Sequence, residues 1–114
     1  MAANPIIPIS SLSIDQRKSG DTVTLLCHGK VIAETTPILR DEVRRVLAES
    51  GTVVLDLTDV SYLDSSGLGA LVGLYASAKR AGKQLKLINL SDRIKELLRI
   101  TKLLSVFEGY GAYM

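Results

Sequence analysis

Thr52-Val53-Val54-Leu55-Asp56-Leu57-Thr58-Asp59-Val60-Ser61-Tyr62-Leu63-Asp64-Ser65-Ser66-Gly67-Leu68-Gly69 decides the fold. The opening run, Thr52 to Leu57, is apolar at nearly every position and rich in β-branched residues, the composition of a central strand covered on both faces. Beyond Val60 and Leu63 the pattern changes. A polar Asp64-Ser65-Ser66-Gly67 turn is followed by Leu68, Leu71, Val72 and Tyr75 at helical spacing, and Gly82 closes the helix after Arg80. A buried strand that passes through a short turn into a helix is the building unit of an α/β fold with parallel strands.

Working outward toward the N-terminus, Leu12, Ile14 and Gln16 alternate with polar residues, Lys18-Ser19-Gly20-Asp21 signals a turn, and Val23, Leu25 and Cys27 alternate again. This predicts a β-hairpin whose second strand ends at Gly29. Thr36 then offers an N-cap and Pro37 a first helical residue that needs no amide hydrogen. Leu39, Val43, Val46 and Leu47 form the buried face of that helix, Asp41 and Arg45 an i, i+4 pair, and Ser50-Gly51 its end. Toward the C-terminus, Gln84 to Leu90 reads as a strand and Ser91 as the cap of a third helix buried through Ile94, Leu97, Leu98 and Thr101. A short last strand is expected around Val106 and Phe107.

The resulting order, β-β-α-β-α-β-α(-β), predicts an α/β fold: a mixed sheet of four to five strands with three main helices packed against it. Residues 9–108 are expected to make one domain, with 1–8 an N-terminal tail and 109–114 a C-terminal tail. At 114 residues the chain is long enough for a single core, and 46% hydrophobic against 23% charged residues excludes a disordered polymer.

Composition narrows the function classes. A net charge of +2 with scattered basic residues, no tryptophan and few aromatics argues against nucleic acid as partner. Cys27, the only cysteine, excludes an internal disulfide and multi-thiolate zinc sites, and alternation with Val23 and Leu25 marks it as a small core residue. No metal and no cofactor are expected. Leu68 to Ala76, the most apolar stretch, is too short to span a bilayer, and residues 1–8 lack the pattern of a signal peptide, so a cytoplasmic protein without membrane contact is expected. Arg40, Arg44 and Arg45 read as a solvated helix face, with an acidic partner as the alternative.

The site that stands out is the turn. Ser65 and Ser66 lie at a helix N-terminus, where unpaired amides attract anions. Gly67, Gly69 and Gly73 leave the helix with bare backbone at a cost of about 1 kcal/mol each. Taken alone, the string is explained by an N-cap at Asp64 or Ser65 with glycines for close packing on the sheet. A serine nucleophile has poor support: His28 is the only histidine, no G-x-S-x-G elbow surrounds the pair, and Val72 stands where a dinucleotide fingerprint needs its third glycine.

In its wider context, the run from Val53 to Tyr75 resembles the STAS family, the domain of bacterial anti-anti-sigma factors, in which a central strand leads into the same D-S-S-G-L-G segment. The resemblance extends from about Leu12 to Phe107, with Gly29, the Thr36-Pro37 helix start and Leu87-Ile88-Asn89-Leu90 in corresponding places. It implies that Ser65 is phosphorylated by a partner that is both anti-sigma factor and serine kinase, that Asp64 orients or activates the hydroxyl, and that Ser66 and Gly67 shape the turn. It further implies that the unphosphorylated chain sequesters the anti-sigma factor, that a serine phosphatase restores it, and that the chain is a non-enzymatic regulator of transcription, monomeric or weakly dimeric. The expected partner surface is Gly29, Lys30, Val31 and Ile32 together with Leu63, Asp64, Ser65, Ser66, Gly67, Leu68 and Gly69. Many members carry an acidic residue where this chain has Ile32, which counts against a nucleotide or metal role for that loop. A STAS-like scaffold that is never phosphorylated, in a stress-signalling or transport complex, stays open as the alternative.

Overall fold

The computed structural model describes residues 11–109. In chain order the elements are β1 (Leu12–Ser19), β2 (Thr22–Val31), α1 (Thr36–Leu47), β3 (Thr52–Leu63), α2 (Ser65–Arg80), β4 (Gln84–Ile88), α3 (Asp92–Ile100) and α4 (Leu104–Gly109). The strands form one mixed sheet in the order β1-β2-β3-β4, with β1 antiparallel to β2 and β2, β3 and β4 parallel. Gly20 and Asp21 make the two-residue hairpin turn, and Gly20 alone takes a positive φ, +61°, as the first position of a II′ turn requires.

Expectation and structure part over how the sheet is covered. Both parallel crossovers, through α1 and α2, step the sheet in the same direction, and right-handed connections then place both helices on one face. The core therefore lies on that face: Val23, Leu25 and Cys27 from β2, Val53, Leu55 and Leu57 from β3, Leu85 and Leu87 from β4, packed under Leu39, Val43 and Val46 of α1 and Leu71 and Leu74 of α2. On the other face Val54 and Asp56 stand in register with Thr24 and Leu26 of β2 and with Lys86 and Ile88 of β4. β3 is an inner strand, but it is not covered by helices on both sides.

β3 also runs longer than its apolar run. Two register shifts against β2, between Leu26 and His28 and between Gly29 and Lys30, give β3 extra residues. The buried positions accordingly slip from alternation, Val53, Leu55 and Leu57, to a spacing of three at Val60 and Leu63. The bulges carry Asp59 opposite His28. Gly29 does not end β2 as expected; it sits inside the strand at φ +119°, where a Cβ would collide with the backbone carbonyl of Ser11.

Three further expectations need correction. Thr36 is the first residue of α1 rather than its cap; Thr35 occupies the cap position, and its buried hydroxyl accepts from the Ile32 amide (2.9 Å) and donates to the Lys30 carbonyl (2.7 Å), stapling the loop. Thr101 is exposed, while Ser91 caps α3 as expected by accepting from the Ile94 amide at 3.2 Å. Val106 and Phe107 lie in a helix, α4, and not in a strand. Lys102 ends α3 in a left-handed conformation (φ +63°), and the Leu103 amide reaches back to the Leu98 carbonyl (2.8 Å). The chain is thereby turned so that Phe107, fully buried, packs at 5.0 Å on the Tyr75 ring. The expected stripe on α2 is present in Leu68, Leu71 and Tyr75; Leu74 is buried as well, and Val72 is half-buried.

On the open sheet face, His28 Nδ1 lies 2.8 Å from Asp59 and Nε2 3.1 Å from Asp15, so one imidazole ties β1, β2 and β3 together. The Asp59 hydrogen bond raises the His28 pKa above its ordinary value; desolvation opposes this and Asp15 adds to it. A raised folded-state pKa stabilises the fold fully below the unfolded value, near 6.5, and that contribution disappears as pH rises through the folded value. His28→Gln is therefore expected to lose more stability at about pH 5.5 than at about pH 9 in urea titrations. An equal loss at both would show that the imidazolium contributes nothing. Nearby, burial pushes the Asp56 carboxyl up, but hydrogen bonds from the Thr58 hydroxyl and amide and from Asn89, with the charge of Arg17, more than offset it and hold the pKa low. Cys27 is a core residue as expected: burial, with Asp56 adding to it, pushes its thiol up to about 12.

Candidate functional site

β2 and β3 run parallel, so their C-terminal ends meet at one edge of the sheet, the edge at which open α/β sheets present their binding loops. Val31 pairs with Leu63, and the Asp64 amide donates to the Val31 carbonyl at 3.2 Å. The two stretches that the sequence singled out, Gly29 to Ile32 and Leu63 to Gly69, are thus one surface.

Asp64 organises it. Its backbone is extended (φ −99°, ψ −174°), one carboxylate oxygen accepts from the Gly67 amide at 2.8 Å, and the other accepts from the Ala33 amide at 3.2 Å. The same side chain therefore caps α2 and anchors the β2–α1 loop. The Leu68 amide is taken by the Asp64 carbonyl (2.9 Å), which leaves the amides of Ser65 and Ser66 without a partner among the described residues. Both serines are exposed. Asp64→Ala removes the cap and frees the Ala33 amide; we expect a loss of about 1–2 kcal/mol in chemical denaturation, and a loss no larger than that of a surface substitution would mean that water replaces both bonds.

Gly67 explains the local geometry. It is buried, and a Cβ there would overlap the Val31 carbonyl oxygen and stand 2.7 Å from Leu63 Cδ1 and 2.9 Å from Val31 Cγ1. Only glycine lets the first turn of α2 sit on the end of β2. Gly69 and Gly73 differ: both are exposed, and a Cβ on either meets nothing within 4 Å. Close packing accounts for one of the three glycines.

Among the other residues anticipated for the site, Val31, Leu63 and Leu68 are buried with Gly67 and form its floor, while Gly29, Lys30, Ile32 and Asp64 are half-buried. The face available to another molecule is Ser65, Ser66 and Gly69 with the exposed parts of Lys30 and Ile32. Sequence reading missed three contributors. Thr35 is buried and ties the loop; Tyr62 (44% exposed) and Ile38 (47% exposed) are large apolar side chains left in solvent on the elements that flank the turn. Tyr62 gives no signal by alternation, because the register shifts break the period of β3 before it, and Thr35 gives none because its partners are backbone atoms.

His28, the only histidine, has both ring nitrogens occupied by carboxylates. Among the described residues no cluster of His, Cys, Asp and Glu could hold a metal ion, and no helix is long and apolar enough to cross a membrane.

Known proteins share the fold that carries this turn. The anti-sigma-B factor antagonist of Listeria monocytogenes is 35% identical over 99 residues, 86% of this chain and 86% of that protein. The anti-sigma-B factor antagonist of Bacillus subtilis is 31% identical over 98 residues, 86% of this chain and 90% of that protein. Among solved structures, the anti-sigma factor antagonist SpoIIAA of Bacillus superposes with a TM-score of 0.71 in its unphosphorylated form, at 16% identity, covering 90% of this chain and 86% of that one. Its phosphorylated form superposes with a TM-score of 0.68, at 16% identity over 90% of this chain and 89% of that one. The STAS domain pattern matches residues 13–112, and with that match and those relatives the chain belongs to the STAS domain family.

Proposed function

We propose that the chain is an anti-sigma factor antagonist switched at Ser65. Unphosphorylated, it binds an anti-sigma factor with serine kinase activity and so frees a sigma factor for transcription; phosphorylated on Ser65, it lets that partner go, and a serine phosphatase resets it. The observation that carries this reading is the exposed Ser65 on the first turn of α2, held in place by the Asp64 cap. The names of the relatives and the two forms in which SpoIIAA was solved support it.

The energetics of the switch follow from the site. Phosphorylation adds a charge of about −1.5 to −2. At the positive end of α2 that charge is favoured by about 0.3–1 kcal/mol, and two free amides are available to it, so the domain stays folded. In an interface the balance reverses. The dianion sits beside Asp64, and burying it unpaired costs several kcal/mol, enough to expel a partner without any change of backbone. The chain acts as substrate and ligand, with catalysis supplied by the kinase and the phosphatase.

The direct test is incubation with the cognate anti-sigma kinase and ATP. A mass gain of one phosphoryl group that is absent in Ser65→Ala is expected. Stable binding without any mass gain would instead identify a constitutive scaffold.

A further inference from the structure

Beside Ser65, α1 and α2 enclose a groove of about 560 Å³ whose walls differ in chemistry. Arg40 and Arg44 line it from α1 and Arg80 from the far end of α2, while Ser66, Gly69 and Gly73 form the α2 wall; no carboxylate is among the residues that line it. The three arginines of α1 are not equivalent. Arg45 is held by Glu42 (2.5 Å) and Gln16 (3.1 Å), whereas Arg40 and Arg44 have no ion-pair partner among the described residues. The fold has gathered cations along a groove and put nothing opposite them.

From this we infer that the groove between α1 and α2 seats an acidic helical segment of a protein partner, which on the reading above is the anti-sigma factor. Charge complementarity selects the chemistry of the occupant. Arg40 and Arg44 are four residues apart, about 6 Å along the axis of α1, the same interval at which carboxylates at i and i+4 repeat on a helix laid beside it. The opposite wall is shaped for close approach: Gly69 and Gly73, also four apart, are not needed for packing within the domain, and their missing side chains keep the groove open down to the backbone of α2. Ala33 and Ser66 line the end of the groove nearest the turn, so a segment lying in it continues directly onto the surface around Ser65. A phosphate placed on Ser65 and a carboxylate row in the groove then repel each other, which ties release to the same site.

Two measurements test this separately from the switch. In an NMR titration of the full chain with an alanine-based helical peptide carrying glutamate at every fourth position, saturable shifts are expected for amides from Ala33 to Arg44 and Ser66 to Arg80, and their loss in Arg40→Glu/Arg44→Glu. No shifts, or equal shifts at exposed basic residues of α3 such as Arg93, overturn the assignment. With the purified anti-sigma factor, the double variant is expected to bind at least about ten-fold more weakly, with Arg93→Glu unchanged. Full affinity of the double variant overturns the groove and leaves the Ser65 reading intact. Peptide binding in the groove by a chain that binds no anti-sigma factor supports the groove and overturns the partner named for Ser65.

Discussion

Ser65→Asp is expected to weaken binding to the anti-sigma kinase by about ten-fold or more, about 1.4 kcal/mol, while Ser65→Ala binds as the unmodified chain does. The difference between the two isolates charge from shape. Ser65 is exposed on the first turn of α2, so neither substitution disturbs the core, and alanine removes only a hydroxyl. Aspartate places a second carboxylate next to Asp64, whose own oxygens are already bound to the amides of Gly67 and Ala33 and cannot turn away. In water the helix end tolerates this charge; at an interface it must be stripped of solvent beside a like charge, and affinity falls. Isothermal titration of both variants, with circular dichroism to confirm that each is folded, gives the answer. Equal affinity for the two would remove the charge mechanism. Loss of the folded spectrum in Ser65→Asp would show instead that the helix end cannot carry an anion.

The largest effect on stability is expected at Gly67. Gly67→Ala inserts a methyl group where the Val31 carbonyl oxygen already sits, with Leu63 and Val31 side chains closing the remaining space. The carbonyl cannot retreat freely, since it accepts the Asp64 amide and terminates the β2–β3 ladder. Overpacking against backbone costs about 1–3 kcal/mol, and we expect the upper part of that range. For a domain of this size that lowers Tm by about 10 °C or more. Gly69→Ala and Gly73→Ala carry the opposite sign. Both positions are helical and exposed with open space around them, so alanine is expected to stabilise by about 0.5–1 kcal/mol. Thermal melts of the three variants decide it. Destabilisation at all three would mean that the outer glycines serve the fold after all, and stabilisation at all three that β2 yields easily to the helix.

The contrast among these glycines shows where sequence reading stops. In the string Gly67-Leu68-Gly69 the two glycines look alike, and both were open to the same explanation by close packing. One touches another strand and the other touches nothing, a difference made by the approach of β2, which is distant in sequence. The arginines of α1 behave the same way. Arg40, Arg44 and Arg45 form one polar face by periodicity, yet Glu42 and Gln16 take up Arg45, while α2 turns the space beside the other two into a groove. Phe107 reads as a strand residue because a short apolar run suits a strand or a helical turn equally, and the reversal at Lys102 uses a lysine where a glycine would mark it.

Amphipathic period, caps and turn residues act within a few residues of themselves, so the seven elements from β1 to α3, their order and the Asp64-Ser65-Ser66 turn follow from the chain read as a string. Ser91 caps α3, Gly82 ends α2 with φ +72°, and Gly20 turns the hairpin, each where local chemistry placed it. Strand order, the one-sided cover of the sheet, the slipped register of β3 and the role of each glycine depend on atoms brought together from opposite ends of the domain. Those contacts are chosen by packing, in which many weak contacts compete at once, and only the folded molecule records which of them won.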